Sequence, residues 1–277
     1  MTEGPITALD PALARGSFVV LDVRDEAAFT AGHLAGSGHV PLSELKARRA
    51  ELPPRESPVL IVGDDAGHAA RAAERLRTME FRTVAWLAAT LAQVPGGEVD
   101  RGPAARLWRP ASFLEEVLPH LPRGRAADLA AGSGREAVFL AMNGFTVEAW
   151  EAAPEALERA RALAARHEVR ITAVPCDLEA VTPPLPAAAY RLIVCFRFLH
   201  RPLLPAIARA LEPGGHLVYE TYRVGQERLG RPRRRQFLLE PGELRLAFAD
   251  LEVLSYEEPD PPEGPITARL LARRPDR

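Results

Sequence analysis

The segment ADLAAGSGREAVFLA, residues 127–141, constrains the fold of this chain more than any other. An apolar strand ends at Leu129, a tight turn containing Gly132 and Gly134 follows, and a helix is predicted to begin at about Arg135. This order points backbone N–H groups and the positive end of a helix at the space above the strand end. In an open α/β sheet, nucleotide-like cofactors bind in that space. We therefore expect an α/β fold with a cofactor site at this turn.

Composition limits the classes of protein that the chain can belong to. It has 277 residues, 47% of them hydrophobic, which is enough for two domains of ordinary size. A formal net charge of −2 argues against nucleic-acid binding over the whole surface. Only Cys176 and Cys195 are present, so we expect no disulfide framework and no cysteine metal site, and interpret both as packing residues. We see no targeting segment and no membrane-spanning apolar run, so the expected location is cytoplasmic.

Two halves rich in strand and helix patterns flank a polar run that begins PGG and contains further breakers. We predict a first domain over residues 1–95, a linker over 96–110 and a second domain over 111–277. The runs that predict strands are 18–23, 59–62 and 84–87 before the linker, and 126–129, 146–150, 170–174, 192–196, 216–220, 251–256 and 266–272 after it. Helical patterns lie between these runs, which favours parallel sheets covered by helices.

The first half contains the motif LDVRDEAAFTAGHLAGSGHVPLSEL, residues 21–45. Its strand ends in Asp22 and Arg24, and residues 59–76 then give the pattern of a strand, a loop and a helix. These features resemble the rhodanese family over residues 10–95. The resemblance implies a domain with a parallel sheet, in which the loop carries a sulfur-transferring cysteine.

The residue that would transfer sulfur is absent from this loop. Rhodaneses place a cysteine at the start of a CxxGxRS loop, whose N–H groups hold an anionic persulfide. Alignment on the helix puts Gly63 at the cysteine position, and Asp64 and Asp65 add negative charge where the anion binds. We expect a catalytically silent domain used for structure, docking or regulation. The alternative is an altered ligand site using Asp64, Asp65 or His68, whereas His33 is interpreted as a local structural residue.

In the second half, four features follow the glycine turn in order. Glu151 ends the next strand 19 residues after Gly132, where a carboxylate can accept hydrogen bonds from both ribose hydroxyls. Asp177 ends the third strand, where it can accept a hydrogen bond from an adenine amino group. LEPGG, residues 211–215, precedes a fifth strand, and the last two strands suit an antiparallel hairpin. This order resembles the class I S-adenosylmethionine-dependent methyltransferases over residues 110–275.

The resemblance implies a Rossmann-like domain with a seven-stranded sheet and S-adenosylmethionine as its cofactor. Within the class, the pattern is most similar to tellurite-resistance and thiopurine-type methyltransferases. The residues that we expect to bind the cofactor are Asp128, Ala130, Gly132, Gly134, Glu151, Ala152, Asp177, Leu178 and Phe196. Ala130 replaces a more usual glycine, which is tolerable if its φ is not positive.

A nicotinamide dinucleotide is the competing cofactor. Its fingerprint requires a third glycine where this chain has Ala137, and only Arg135 offers a basic side chain to a pyrophosphate. S-adenosylmethionine has no phosphate, so a shorter turn followed by a carboxylate suits it better.

Methyl transfer is an in-line displacement that requires alignment and exclusion of water, and a base only for a poorly ionised acceptor. We expect the acceptor side to be built from residues 196–202 and 220–237. Candidate catalytic residues are His200, Arg197 and Tyr222.

The second of these segments also holds further candidates. Glu220 is a possible pocket residue. Five arginines allow either recognition of RNA or of an anionic substrate, or a solvated loop; they are Arg228, Arg231, Arg233, Arg234 and Arg235. The preferred function is methyl transfer to a small molecule. The alternatives are an RNA methyltransferase and a regulatory protein that binds S-adenosylmethionine without turnover, and the first domain can also bind a protein partner.

Overall fold

A computed structural model describes residues 4–6, 18–88, 99–180, 185–261 and 264–276. The chain forms two compact units, which divide between Arg109 and Pro110. Residues 96–98 of the predicted linker lie outside the described residues. The expectation of a two-domain α/β fold is confirmed.

The first unit is built around a parallel sheet. Its described elements are β1 (Gly4–Ile6), β2 (Val19–Asp22), α1 (Glu26–Ala31), β3 (His33–Leu34), β4 (Gly38–His39), β5 (Val59–Val62), α2 (Ala66–Thr78), β6 (Val84–Leu87) and β7 (Val99–Asp100). Five strands pair in the order β1-β6-β5-β2-β4, all parallel. All four residues of β5 are buried, as expected for a central strand covered on both faces. Residues 69, 72, 73 and 76 form the buried stripe of α2.

The segment predicted as a linker, residues 96–110, contributes to this unit. Its strand β7 pairs with β3 in the antiparallel direction. The Ala105 N–H donates to the Ser37 carbonyl over 2.9 Å, and the Leu107 side chain leaves no room for a Cβ at Gly38. A two-residue strand has too short an alternation to be recognised in a sequence. Described residues of the polar, breaker-rich run therefore contact β3 and β4 of the first unit.

The second unit contains a larger, mixed sheet. Its described elements are α3 (Ser112–Val117), β8 (Arg125–Leu129), α4 (Arg135–Met142), β9 (Thr146–Glu151), α5 (Pro154–Arg166), β10 (Ile171–Pro175), β11 (Tyr190–Phe196), α6 (Leu204–Ala210), β12 (Leu211–Tyr222), α7 (Glu243–Ala247), β13 (Glu252–Glu257) and β14 (Thr267–Arg273). Seven strands pair in the order β10-β9-β8-β11-β12-β14-β13. β14 runs opposite to the other six strands of this sheet, so the predicted seven-stranded sheet and closing hairpin are confirmed.

The LEPGG segment interrupts the pairing of β12 with β11. Tyr190 pairs with Leu211, and the next pair joins Leu192 to His216. Residues 212–215 therefore leave the ladder, and regular pairing begins at His216, where the sequence predicts the strand to start.

Five parallel strands bring their carboxyl ends to one edge of this sheet. Because β8 to β12 run in the same direction, the turns after them meet at that edge, where ligands of open α/β sheets bind. The strand order reverses at β8, between β9 and β11. In the described part of the chain, no helix is long and apolar enough to cross a membrane.

Candidate functional site

The turn after β8 holds three residues in the left-handed region of backbone conformation. Ala130, Gly132 and Gly134 have φ values of +56°, +54° and +78°. The sequence prediction that alanine is tolerated at position 130 required a φ that is not positive, and the structure does not meet that requirement. An L-residue with a Cβ in this region costs about 1–2 kcal/mol, which the rest of the fold has to offset. The strain lies at the turn that the sequence singles out as the cofactor site.

The two glycines of the turn have different reasons to lack a side chain. A Cβ at Gly134 would lie 2.5 Å from the Ala160 Cβ, because α4 begins where α5 crosses closely. A Cβ at Gly132 would meet nothing within 4 Å. Gly134 thus permits helix packing, whereas Gly132 faces open space at the carboxyl edge of the sheet.

Glu151 braces this turn through both carboxylate oxygens. Its Oε2 accepts a hydrogen bond from the Gly132 N–H over 2.9 Å, and its Oε1 accepts one from the Ala153 N–H over 2.9 Å. Each oxygen keeps the capacity for a further hydrogen bond. One side chain therefore joins the turns after β8 and β9 and still offers acceptor sites to a ligand.

Asp128 places a buried carboxyl directly below the turn. The residue is 2% exposed, and its Oδ2 has no hydrogen-bond partner among the described residues. Burial raises the pKa of Asp128 well above its usual value, with Glu136 and Glu151 adding to the effect and a hydrogen bond from the Ala137 N–H opposing it. An unpaired buried acceptor is costly and requires an explanation, such as a donor that a ligand supplies.

The remaining residues expected at the cofactor lie at the same edge. Asp177 is exposed, and its Oδ1 accepts a hydrogen bond from the Glu179 N–H over 2.9 Å. Leu178 is buried, Phe196 is half-buried at the end of β11, and Ala152 is exposed after β9. The carboxyl ends of three strands thus supply an acid, apolar surface and open backbone.

A cavity of about 330 Å³ lies between the two segments expected to form the acceptor side. Its lining residues are Glu179, Leu199, His200, Arg201, Pro202, Gln236 and Phe237. The His200 carbonyl accepts a hydrogen bond from the Leu203 N–H. The His200 imidazole itself has no hydrogen-bond partner among the described residues and lines the cavity. Arg197 and Tyr222, the other catalytic candidates, are not among the residues that line this cavity.

Arg201 is a residue of this site that the sequence interpretation did not select. Its guanidinium contacts Glu243 and the carbonyls of Gln236 and Leu238, and so joins the two acceptor-side segments. The sequence shows Arg201 only as one of two arginines that follow β11, the other being Arg197.

Glu220 is engaged by structural partners. Its Oε1 accepts a hydrogen bond from Thr267 Oγ1 over 3.1 Å and lies 3.4 Å from Arg269 Nε. These contacts join β12 to β14 on a buried surface. Glu220 is therefore already paired where the sequence proposes a pocket residue.

Two of the five arginines in residues 228–235 are bound to groups of the chain itself. Arg228 donates to the Gly225 carbonyl, and Arg235 forms an ion pair with Glu240. The other three arginines of the segment are exposed; they are Arg231, Arg233 and Arg234.

In the first unit, the loop between β5 and α2, where the sequence predicts Gly63 in place of a cysteine, is hydrogen-bonded by its own side chains. Asp65 caps α2 by accepting the His68 N–H over 2.7 Å, and this bond lowers the pKa of Asp65. Asp64 Oδ2 lies 2.9 Å from His68 Nδ1. A Cβ at Gly63 would lie 2.7 Å from the Ala69 amide nitrogen. A side chain at Gly63 would therefore require the first turn of α2 to shift.

Two interpretations of single residues are confirmed. His33 is buried, with its Nδ1 3.1 Å from the Phe29 carbonyl and its ring stacked on Phe29 at 3.8 Å, so it is structural. Cys195 is buried in the core, and burial raises the pKa of its thiol to about 12. Among the described residues, no group of three or more His, Cys, Asp or Glu side chains is placed to hold a metal ion.

A cavity of about 410 Å³ lies elsewhere in the second unit. It is lined in part by Thr146 and Ile171, the first residues of β9 and β10. Because ligands of open α/β sheets bind at the carboxyl ends of the strands, this position does not favour a cofactor site.

Comparison with known proteins gives a separate match for each unit. The model of the rhodanese-like domain family matches residues 6–92, and that of a methyltransferase domain family matches residues 126–215. Hemagglutinin 1 of Eikenella corrodens is 28% identical over 152 residues, which are 53% of this chain and 50% of that protein. The chain therefore spans about half the length of this curated relative.

Two solved structures share the fold. TehB from Haemophilus influenzae is 18% identical, with a TM-score of 0.50 over 60% of this chain and 62% of its own. A protein solved for the conversion of a disulfide bond into a thioacetal group during echinomycin biosynthesis is also 18% identical, with a TM-score of 0.50 over 61% of this chain and 83% of its own. The strand order and the two family matches agree: a rhodanese-like domain precedes a domain that matches a methyltransferase family model and shares the fold of these solved structures.

Proposed function

We propose that this chain methylates a compact small molecule at the carboxyl edge of the larger sheet. One observation carries the proposal: a buried Asp128 oxygen without a hydrogen-bond partner lies next to a turn that Glu151 binds from the next strand. When bound, S-adenosylmethionine supplies an electrophilic methyl group carried on a positively charged sulfur. The residues of the chain have to bind it, orient it and exclude water.

The donor set fits the polar groups of this cofactor. Asp128 offers an acceptor without a partner to the ammonium group, and burial strengthens such a charge-assisted bond. Gly132 leaves open space at the turn. Glu151 keeps acceptor capacity on both oxygens for the two ribose hydroxyls. Ala130 and Gly134 shape the turn through their left-handed conformations.

The adenine end is assigned to the turns after β9, β10 and β11. Asp177 would accept a hydrogen bond from the adenine amino group through Oδ2, because its Oδ1 already accepts the Glu179 N–H. Leu178 and Phe196 supply apolar surface, and the exposed Ala152 allows a ring to approach its backbone.

The cavity beside His200 is assigned to the methyl acceptor. Its volume of about 330 Å³ suits a small molecule, and Leu199, Pro202 and Phe237 give it apolar surface. His200 has a free imidazole that can take a proton from an acceptor that is poorly ionised. The guanidinium in the described lining, that of Arg201, is already bound to Glu243, so a phosphate finds no free cation there.

Replacing Glu151 by Ala should weaken the binding of S-adenosylmethionine about tenfold to a hundredfold, because hydrogen bonds to a charged group contribute about 1.5–3 kcal/mol. The variant also releases the N–H groups of Gly132 and Ala153, so the turn loses its brace. Calorimetric titration with S-adenosylhomocysteine measures the change. Glu155→Ala, at an exposed position on α5, is the matched control and should keep its affinity within about twofold. Unchanged affinity in Glu151→Ala would refute our placement of the ribose.

Turnover separates the enzyme from a regulatory protein that only binds the cofactor. We expect methyl transfer to at least one member of a panel of small thiol, selenium, tellurium, amine and hydroxyl compounds. Tight binding of S-adenosylmethionine with no transfer to the panel, but with transfer to RNA, would instead favour an RNA substrate recognised through Arg231, Arg233 and Arg234.

We further propose that the rhodanese-like domain is silent in sulfur transfer and acts in docking or regulation, with a protein as its partner. Gly63→Cys should therefore give no thiocyanate from thiosulfate and cyanide. Its Cβ would lie 2.7 Å from the Ala69 amide nitrogen, and Asp65 already binds the His68 N–H at the start of α2. The Cys variant should behave like the unmodified chain, and a rate well above that background would show that the loop can still hold the anion.

A further inference from the structure

The guanidinium of Arg201 binds the segment 236–243, whose Gln236 and Phe237 line the cavity and which we call its wall. Its Nε and Nη2 donate to the Glu243 carboxylate over 2.5 and 2.9 Å. Its Nη1 donates to the Gln236 carbonyl over 2.8 Å, and Nη2 also donates to the Leu238 carbonyl over 2.9 Å. One side chain thus binds three residues that lie 35 to 42 positions further along the chain.

These contacts differ from an ordinary surface ion pair. The Arg201 side chain is 40% exposed and that of Glu243 is 23% exposed, so charge attraction alone contributes little. The planar fork of an arginine, however, makes all four of these hydrogen bonds at once, whereas a lysine has only three donors. Because Arg201 donates to both carbonyls, each has a hydrogen-bond partner within the protein. The hydrogen bond from Arg201 to the Glu243 carboxylate lowers the pKa of Glu243.

The bound segment is the one that completes the cavity. Gln236 and Phe237 line it from one side, while His200 and Arg201 itself line it from the other. Glu243 Oε2 also accepts the Glu240 N–H over 2.7 Å, so the same carboxylate fixes the turn that precedes α7. Arg201 therefore binds the wall at Gln236, and Glu243 binds it at Glu240.

We propose that Arg201 is the positioning residue of the acceptor site: it sets where Gln236 and Phe237 stand against His200. This inference rests on the proposed function, because it takes the cavity as the place where the acceptor binds. Arg201 acts through the wall and not on the cofactor, so its loss should alter use of the acceptor and leave binding of the cofactor product intact.

Hydrogen exchange of residues 236–243 in the full chain tests the positioning role without any acceptor. Arg201→Gln should speed exchange there about tenfold or more, since several charge-assisted hydrogen bonds are lost. Arg235→Gln is the matched control, because its ion pair with Glu240 lies within the same segment and does not reach the opposite wall. It should change exchange by less than about twofold. Equal effects of the two variants would overturn the proposal.

Two further variants separate the fork from simple charge. Glu243→Gln keeps the carbonyl bonds and should speed exchange less than Arg201→Gln. The double variant Arg201→Glu with Glu243→Arg restores the ion pair but cannot donate to the carbonyls of Gln236 and Leu238, so exchange should stay fast. Full recovery in that double variant would show that charge alone holds the wall and would overturn the proposal.

Affinity for S-adenosylhomocysteine distinguishes a failure of this inference from a failure of the proposed function. We expect Arg201→Gln to keep this affinity within about twofold of the unmodified chain, and to raise the KM for the best acceptor of the panel about tenfold or more. A parallel loss of affinity for S-adenosylhomocysteine would mean that Arg201 supports the whole fold and would overturn the inference. If the unmodified chain itself fails to bind S-adenosylhomocysteine, the proposed function fails, while the exchange experiment still decides whether Arg201 holds the wall.

Discussion

Asp128→Asn should stabilise the cofactor-free protein near neutral pH and weaken its affinity for S-adenosylmethionine at least tenfold. The carboxyl is buried and its Oδ2 is unpaired, so ionising it inside the protein is unfavourable. An asparagine keeps an oxygen that can accept the Ala137 N–H, but it cannot ionise. Its NH₂ group then takes the place of Oδ2, and this donor cannot accept a hydrogen bond from the cofactor ammonium. Stability and binding should therefore change in opposite directions.

The pH dependence follows from the direction of the pKa shift. Burial raises the pKa of Asp128 in the folded state above the ordinary value of 3.8. The stability associated with the protonated carboxyl is fully present below about pH 3.8 and is lost as the pH rises through the folded-state pKa. Asp128→Asn removes this loss, so the stability gain should grow with pH across that window. Urea unfolding at several pH values measures it, with Asp177→Asn, at an exposed position, as the control. A variant that is less stable than the unmodified chain at neutral pH would contradict this account of the buried carboxyl.

Gly134→Ala should destabilise the second domain by about 2–5 kcal/mol. A left-handed conformation costs a residue with a Cβ about 1–2 kcal/mol, and overpacking adds about 1–3 kcal/mol. The added Cβ would lie 2.5 Å from the Ala160 Cβ and 3.1 Å from its Cα, so α4 and α5 would have to separate. The midpoint of urea unfolding, followed by circular dichroism, reports the change.

Gly132→Ala supplies the contrast for this prediction. Its φ of +54° carries the conformational cost, but its Cβ would meet nothing within 4 Å. It should therefore lose only about 1–2 kcal/mol of stability. Equal losses in the two alanine variants would show that the close approach of α4 to α5 contributes nothing to the need for glycine.

Most of the larger sheet could be predicted because its strands are apolar runs separated by helical patterns. The run over residues 192–196 falls inside β11, and that over 146–150 differs from β9 only at Glu151. The approach of Glu151 to Gly132 was also predictable, since neighbouring parallel strands end at the same edge. Local pattern and parallel topology were sufficient for these features.

Other features depend on contacts that no local pattern encodes. Arg201 and Glu243 are 42 positions apart, and nothing in the sequence near either one names the other. The two-residue strands β3 and β7 are too short to show alternation. Ala130 has a residue type that favours negative φ, and the surrounding turn overrides that preference.

We expect the turn braced by Glu151 to bind S-adenosylmethionine. Calorimetric titration of the full chain with S-adenosylhomocysteine tests it most directly, with NADH titrated under the same conditions as the competing cofactor. We expect saturable binding of S-adenosylhomocysteine at one site per chain, weakened about tenfold to a hundredfold by Glu151→Ala, and no binding of NADH. Saturable binding of NADH together with no binding of S-adenosylhomocysteine would contradict it.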